Sequence, residues 1–483
     1  MSDIRTTSDA PTVSAPDHSV RNRLVISLLL VSAFVVILNE TVMNVALPDL
    51  MKDLGIEPSL GQWLTTAFML TMAVVIPTTG FLLQRFRTRT VFVTSMTLFS
   101  VGTLIAACAP GFGVLVAARV VQASGTAIMM PLLMTTVMTV VSAASRGKTM
   151  GNISIVMSVA PAIGPTIAGA ILSVAGWRWI FVLVLPFAVG ALLLGALRIP
   201  NVNEPRKVPV DVLSVVLSAL AFSGLIYGFS SVAEVAQGHP GVPVWIPITA
   251  GALSLAGLIW RQLVLQRSDR ALLDLRVFRS RGFTVAVLMM AVAMASMFGT
   301  LILLPLYLQT VLGLAPLATG LVLLPGSLLM GLMGPIVGRI YDKRGPSPLI
   351  VPGTIVVSAA LWMLSTLGHA TPVALVVLIH VGLSVGLALT FTPLFTSGLG
   401  SLPARFYSYG SAVIGTNQQL AGAIGTALFI TILSTVGAHE LAAGGTNTAA
   451  VQAGIHAAFL CGATLSVLLI VGAFFVRRPV QEG

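Results

Sequence analysis

Fourteen long apolar segments are the feature that most constrains the fold of this 483-residue chain. Each has close to the ~20 residues that an α-helix needs to cross a bilayer. Their apolar residues form continuous runs, whereas the strands of a transmembrane barrel alternate apolar and polar residues. We therefore predict an all-α membrane protein with helices over residues 24–47, 62–83, 91–110, 113–138, 150–173, 179–199, 212–232, 244–264, 284–308, 317–338, 349–367, 373–396, 411–434 and 454–476.

The composition supports a membrane protein and argues against a nucleic-acid partner. Hydrophobic residues make up 56% of the chain and charged residues 8%, against about 25% charged residues in soluble proteins. The formal net charge is +11, but the basic residues lie in short loops between apolar segments, which is typical of membrane topology and not of nucleic-acid binding. The two cysteines, Cys108 and Cys461, lie within predicted helices, so we expect neither a disulfide framework nor a metal site.

The basic residues predict the orientation. They fall in alternate loops. The opposite loops hold little basic charge beyond Lys52 and Arg178 and carry acids instead, namely Asp49, Asp53, Glu57, Glu234 and Glu440. The positive-inside rule and the even number of helices both put the two termini in the cytoplasm of a protein of the cell membrane. We expect residues 1–20 to be a disordered tail. The basic loop residues are Arg21, Arg23, Arg85, Arg87, Arg89, Arg146, Lys148, Arg206, Lys207, Arg267, Arg270, Arg276, Arg279, Arg281, Arg339, Lys343, Arg344, Arg405, Arg477 and Arg478.

An internal repeat divides the chain. The basic turn after Gly80 recurs 258 residues later after Gly338, and the segment ending at Gly164 recurs 261 residues later at Gly425. Repeated halves are typical of secondary transporters, whose binding site lies between the halves. We predict a six-helix bundle over 21–200, an inserted helix pair over 201–268, a cytoplasmic amphipathic linker over 269–282, and a second six-helix bundle with a short tail over 283–483.

Glu40 is an acid inside the first apolar segment. Ionisable residues within a membrane span are costly and are functional candidates by default. On a helix, Glu40, Asn44 and Leu47 share one face. We hypothesise that Glu40 carries a proton. The alternative is a structural pair with a base on another helix.

Five motifs, in order along the chain, carry a resemblance to a known family. Together they resemble the major facilitator superfamily, and within it the fourteen-span drug:proton antiporter family, over nearly the whole chain. The motifs are Leu38 to Pro48, Arg119-Val-Val-Gln122, the glycines of Gly151…Gly164-Pro165…Gly169, Leu304-Pro-Leu-Tyr-Leu-Gln309 with Gly320…Pro325, and Gly338…Asp342-Lys-Arg-Gly345.

Several positions depart from the family pattern. The first motif has Asn39 where an aspartate is usual, and its acid is Glu40. The first basic turn has Gln84 in place of an aspartate. Ala123 and Ala160 stand in glycine positions. The first two variations are similar to the lincomycin-resistance branch of the exporters.

The resemblance implies alternating access by two rocking bundles, with proton coupling at Glu40 and Arg119. Arg119 is a base well inside a span and needs a partner. We expect that partner to be Glu40, with backbone carbonyls and Gln122 as the alternatives. A fixed structural pair remains the competing interpretation.

Two groups of residues are expected to form the gate. Gly164, Pro165 and Gly169 predict a hinge and seal against the second bundle, with ordinary small-residue packing as the alternative. The basic turns predict a latch at the inner face, in which Asp342 pairs with a base or a helix N-terminus; topology determination alone is the alternative. The latch residues are Gly80, Arg85, Gly338, Asp342 and Arg344.

The substrate is expected to contact amides and adaptable apolar side chains, with more of the neutral contacts in the second bundle. Methionine within a span more often serves ordinary packing, so only some of these residues are expected to contact the substrate. The candidates are Asn44, Gln122, Met129, Met294, Phe298, Asn417 and Gln418.

We therefore predict a proton-coupled exporter of hydrophobic or amphipathic small molecules, and not an enzyme. Gly147-Lys148-Thr149 resembles the end of a phosphate loop, but Ser142 stands where its first glycine should be. We expect no cofactor or metal, a proton gradient as the energy source, and a monomer in the lipid bilayer. The alternatives are a lipid or metabolite exporter of the same fold and a non-transporting membrane sensor or scaffold.

Overall fold

The computed structural model describes residues 19–205, 209–236 and 242–478. Within these ranges the chain forms fourteen long α-helices, which confirms the predicted fold class. Of the predicted tail, residues 1–18 lie outside the described residues. The helices are α1 (Ser19–Leu54), α2 (Pro58–Arg85), α3 (Thr88–Ala107), α4 (Phe112–Val140), α5 (Arg146–Val174), α6 (Arg178–Arg198), α7 (Val212–Ala236), α8 (Trp245–Leu265), α9 (Arg281–Leu306), α10 (Pro316–Arg344), α11 (Ser347–Leu364), α12 (Val373–Gly400), α13 (Tyr407–Ala442) and α14 (Asn447–Ala473).

The helices pack as two bundles with the same internal arrangement. In the first bundle, α3 contacts α4 and α6, and α1 contacts α5. In the second bundle, α11 contacts α12 and α14, and α9 contacts α13. These contacts thus recur eight helices later, as the sequence repeat requires.

The contacts between the bundles follow the same repeat. Helix α5 of the first bundle packs against α10 of the second, and α13 of the second packs against α2 of the first. Two smaller contacts, α4 with α13 and α12 with α5, are related in the same way. A pseudo-twofold relation therefore governs the interface between the bundles.

The inserted helices α7 and α8 pack against each other, and α7 also contacts α2 and α13. Arg261 Nε and Nη2 donate hydrogen bonds of 3.0 and 2.7 Å to the Asp211 carboxylate, which joins the start of α7 to α8. These bonds, with that from Ser214, lower the pKa of Asp211 to about 2. Near the other end of α7, the rings of Tyr227 and Trp63 of α2 are stacked at 6.1 Å.

The linker between α8 and α9 contains a five-residue 3-10 helix, Leu275–Arg279. Ala271, Leu272 and Val277 are buried, because Gln262 Oε1 accepts hydrogen bonds from the Leu272 and Leu273 N–H groups at 2.8 and 3.1 Å and holds the segment against α8.

Arg276 is the basic residue of the linker that has acidic partners. It bonds first to Asp274, at 3.0 Å between Nε and each carboxylate oxygen, and also to Asp269. These bonds raise the pKa of Arg276. The arrangement neutralises this arginine inside the linker.

Candidate functional site

A buried polar cluster lies in the first bundle around Arg119 of α4. Arg119 is 1% exposed. Its Nη1 donates a 2.6 Å hydrogen bond to Gln122 Oε1, one helical turn later, and its guanidinium lies 4.0 Å from the centre of the Phe68 ring. Gln122 Nε2 donates in turn to Thr103 Oγ1 at 2.8 Å. The charge is held by one hydrogen bond and an aromatic face, since Arg119 Nε has no partner among the described residues.

Glu40 of α1 is half-buried and interacts electrostatically with Arg119. The two do not form an ion pair within 4.0 Å, and across the described residues Glu40 has no such pair. The expected direct pair is thus not formed in this conformation, and Gln122 is the observed partner of Arg119. The acid and the base thus interact at a distance and are not in direct contact.

Asn39, next to Glu40, is a functional candidate that the sequence offered only as a departure from a motif. It is 1% exposed, and within the described structure neither its Oδ1 nor its Nδ2 has a hydrogen-bond partner. Buried polar atoms are almost always paired, so such an exception requires an explanation. Next to Glu40, a buried amide oxygen and a buried amide nitrogen are therefore available to form hydrogen bonds.

Asp342 of α10 closes one end of the interface between the bundles. Its Oδ1 and Oδ2 accept hydrogen bonds from the Gly147 and Lys148 N–H groups at 2.7 and 2.8 Å. These groups lie in the first turn of α5, where unpaired donors and the helix dipole favour a carboxylate. Asp342 thus pairs with a helix N-terminus, which is one of the two partners expected for it.

Gln84 of α2 occupies the position equivalent to Asp342 in the repeat. Its Nε2 donates to the Arg405 carbonyl at 2.9 Å and to Ser408 Oγ at 3.1 Å, at the start of α13. The substitution of an aspartate by Gln84 therefore has a structural consequence. One of the two equivalent latches is charged and the other is neutral.

Two hydroxyl bridges connect the bundles deeper in the interface. Thr135 Oγ1 of α4 donates to Ser411 Oγ of α13 at 3.1 Å, and Ser154 Oγ of α5 lies 2.7 Å from Thr392 Oγ1 of α12. Thr135 and Thr392, like Ser154 and Ser411, are 257 residues apart, so the repeat relates one bridge to the other. The sequence prediction missed these residues, although the repeat offset was the signal that could have found them.

Glycines allow the two bundles to approach closely at the end of the interface that carries Asp342 and Gln84. A methyl group at Gly147 would lie 2.5 Å from the Gly338 carbonyl oxygen, and one at Gly80 would lie 3.0 Å from Tyr409 Cδ1. Gly151 is equally close to Gly334. We call this end, which carries the turns after Gly80 and Gly338, the basic face.

The predicted hinge residues lie elsewhere. Gly164 faces Thr41 of α1, within its own bundle, and Gly169 has no described atom within 4 Å of the position of a methyl group. Pro165 is exposed. In this conformation Gly164 and Gly169 do not seal α5 against the second bundle; Gly147 and Gly151 do.

Among the described residues, the close glycine contacts between α5 and α10 lie toward the basic face and are absent near the opposite ends of the two helices. There, Val174 at the end of α5 is 85% exposed and Leu317 at the start of α10 is 78% exposed. A methyl group at Gly320 of α10 would also meet no described atom within 4 Å. At these positions, the close approach of α5 and α10 is thus limited to the part of their interface nearer the basic face.

The predicted substrate contacts have different surroundings in the part of the chain that the structure describes. Gln122 and Met129 are fully buried within the first bundle. Met294, in α9 of the second bundle, is 6% exposed. Phe298 packs against Gly422, and Gln418 is half-buried. Asn44 lies in α1, but its side chain is outside what the structure describes.

Asn417 and two of the latch residues have other surroundings. Asn417 Nδ2 donates to the Val287 carbonyl at 3.2 Å and lines a side cavity between the second bundle and the inserted helices. The guanidinium of Arg85 lies over the rings of Phe81 and Phe86 at 5.9 and 5.8 Å. Arg344 is exposed at the end of α10.

Curated proteins similar to this chain include drug-resistance proteins. It is 39% identical over 462 residues to the lincomycin resistance protein LmrB of Bacillus subtilis, which covers 94% of this chain and 95% of that protein. It is 31% identical over 400 residues to a multidrug resistance protein B homolog of Mycobacterium tuberculosis, covering 82% of this chain and 73% of that protein.

Solved transporter structures share the fold at low identity. The human organic anion transporter MFSD10 aligns with a TM-score of 0.65 at 16% identity and covers 96% of this chain and 100% of that chain. The proton:xylose symporter XylE aligns with a TM-score of 0.64 at 14% identity, over 95% and 97% of the two chains.

The family model of the Major Facilitator Superfamily matches residues 29–426, a span that includes the polar cluster, both latches and both hydroxyl bridges. The fold, the repeat and the drug-resistance relatives agree with this match. The chain belongs to the Major Facilitator Superfamily of membrane transporters.

Proposed function

We propose that this transporter is a proton-coupled efflux antiporter of hydrophobic or amphipathic small molecules, working by alternating access. The observation that carries the proposal is the relation between Glu40 and Arg119. They interact electrostatically in the first bundle but form no direct ion pair. A carboxyl group in this position is free to exchange its proton, and its charge state changes the field at the buried arginine.

The contacts of α5 offer a route from Glu40 to the gate. Thr41, the residue after Glu40, packs against Gly164 of α5. The other end of α5 is capped by Asp342 of the second bundle. Protonation of Glu40 changes how α1 packs on α5, and a small shift of α5 weakens the cap and favours opening at the basic face.

The substrate class is inferred from the relatives and the apolar interior. LmrB is named for lincomycin resistance and the M. tuberculosis relative for multidrug resistance. We propose that the basic face is cytoplasmic, that both termini lie there, and that the protein works as a monomer in the cell membrane. The proton gradient supplies the energy, without a bound cofactor.

Uptake into inverted membrane vesicles tests the function. A panel of labelled antibiotics and amphipathic dyes is offered with an imposed pH gradient, acid inside, and again after an ionophore collapses the gradient. We expect accumulation of at least one compound that stops when the ionophore is added. Gradient-independent accumulation would contradict proton coupling, and the absence of accumulation across the panel would favour a lipid or metabolite exporter or a non-transporting protein.

A further inference from the structure

A cavity of about 220 Å³ lies between the inserted helix pair and the second bundle. Its walls come from α7 and α8, the linker, α9 and α13, and include Phe222, Leu258, Leu273, Phe278, Val287 and Val413. Pockets for drug-sized ligands are larger, at about 300–1,000 Å³. The cavity therefore fits part of an apolar chain better than a whole drug molecule.

The polar side chains on the cavity wall already donate hydrogen bonds to acceptors of the protein. Gln262 Nε2 donates to Ser214 Oγ at 2.8 Å, Thr416 Oγ1 to the Ala412 carbonyl at 2.8 Å, and Asn417 Nδ2 to the Val287 carbonyl at 3.2 Å. A ligand that offered its own polar groups here would compete with these bonds. The interior of the cavity thus selects for hydrocarbon.

Exposed apolar side chains of the wall form the mouth of the cavity, and exposed basic residues follow one of them in the chain. Ile259 and Phe278 line the cavity and are also 42% and 40% exposed. Arg279 and Arg281, one and three residues after Phe278, are exposed, and within the described residues neither has an acidic partner within 4.0 Å. Arg276, by contrast, is neutralised by Asp274 and Asp269.

We propose that this cavity binds one acyl chain of an anionic phospholipid from the leaflet at the basic face, and that Arg279 and Arg281 hold its phosphate. An apolar cavity beside unpaired guanidinium groups matches the two parts of such a lipid, since exposed basic residues near a membrane attract anionic headgroups. The bound lipid fills the space between α8 and α13 and ties the inserted pair to the second bundle. This inference does not rest on the proposed transport function.

Competitive lipid binding to the purified full-length protein tests the proposal. The probes are phosphatidylglycerol and phosphatidylcholine with the same acyl chains, offered in equal amounts, and native mass spectrometry counts the lipid retained. We expect one phosphatidylglycerol to be retained in preference to phosphatidylcholine. Equal retention of the two lipids would overturn the proposal.

Two sets of variants locate the binding. Leu255→Trp fills the cavity, whereas Leu253→Trp adds the same group to an exposed position of α8. The mouth variant, Arg279→Gln with Arg281→Gln, removes the two exposed charges that follow Phe278 of the cavity wall, and Arg198→Gln with Arg477→Gln removes two exposed charges that are remote in sequence from every lining residue.

We expect the cavity variant and the mouth variant each to lower phosphatidylglycerol binding on the order of tenfold, with both controls unchanged. Wild-type binding in the mouth variant, which changes only surface residues, would contradict the proposal even if the cavity variant failed to fold. Displacement of the lipid by an exported drug would instead make the cavity a drug entry site and would also overturn it.

Discussion

The carboxylate of Asp342 in α10 accepts a 2.7 Å hydrogen bond from the backbone N–H of Gly147 in the first turn of α5. The contact joins the two bundles through a side chain and a helix end, so it breaks when the bundles move apart. It is also close packed, because a methyl group at Gly147 would lie 2.6 Å from the same carboxylate oxygen. The charged hydrogen bond and the close packing thus both hold α5 against α10 at the same point of the basic face.

Asp342→Asn is expected to weaken closure at the basic face. The change removes a negative charge and one acceptor from a pair of charge-assisted hydrogen bonds, which are worth about 1.5–3 kcal/mol each. We expect the population closed at the basic face to fall by roughly tenfold or more relative to the open one. Distances between spin labels at the basic-face ends of α5 and α10 measure the two populations.

Asp49→Asn is the matched control for this prediction, since Asp49 is an exposed acid at the far end of α1. It should leave the label distances unchanged. An unchanged distance distribution in Asp342→Asn would show that the cap does not hold the closed state.

The two hydroxyl bridges predict equal effects from equivalent substitutions. Ser154→Ala removes the bridge to Thr392, and Ser411→Ala removes the bridge to Thr135. Each should weaken closure by about 1 kcal/mol, and the double variant by nearly the sum, because the bridges lie on different helix pairs. The same label distances measure this, and an effect confined to one of the two serines would argue against a symmetric interface.

Gly147→Ala and Gly169→Ala form a matched pair within one helix. A methyl group at Gly147 meets the Gly338 carbonyl and the Asp342 carboxylate, whereas at Gly169 it meets no described atom within 4 Å. We expect Gly147→Ala to lower transport several-fold or more at equal expression, and Gly169→Ala to leave it unchanged, since alanine favours the helix by up to about 1 kcal/mol. Full transport by Gly147→Ala would mean that close approach of α5 and α10 is not needed.

The ion pair between Asp211 and Arg261 predicts a pH dependence of stability. The pKa of Asp211 is lowered from 3.8 to about 2 by the folded structure. Its contribution, about 2 kcal/mol, is therefore fully present above about pH 4 and is lost as the pH falls from about 4 to about 2. The thermal unfolding of wild type and Asp211→Asn, followed from pH 7 downward, measures it.

The wild type should be more stable than Asp211→Asn by a constant margin from pH 7 to about pH 5. That margin should shrink below about pH 4. A margin that grew on acidification would contradict the assigned ion pair.

The helices and the repeat could be predicted from the sequence because each involves long runs of residues. An apolar run of about twenty residues has few alternatives to a membrane helix. The repeat offset of the glycine turns carried over to the packing of α2 on α13 and α5 on α10. The helix ends were less predictable. Helix α1 continues through Pro48 to Leu54, beyond the end predicted at residue 47, because the local interactions that end a helix are not visible in a hydropathy pattern.

The sequence could not predict which polar groups meet within the bundles. Arg119 had two candidate side-chain partners, and the geometry of one helical turn favoured Gln122 over Glu40 on another helix. The sequence also could not predict that a side chain of α8 holds the linker between α8 and α9. There the buried Gln262 supplies the hydrogen bonds that an α-helix would otherwise make.

Glu40→Gln tests whether Glu40 carries the proton. In vesicles, we expect this variant to lose gradient-driven drug accumulation at least roughly tenfold while it still exchanges drug down a concentration gradient, because an amide cannot couple the transport cycle to protons. The exposed control Glu57→Gln should behave as the wild type. Full gradient-driven accumulation by Glu40→Gln, at equal expression, would contradict the assignment of Glu40 as the proton carrier.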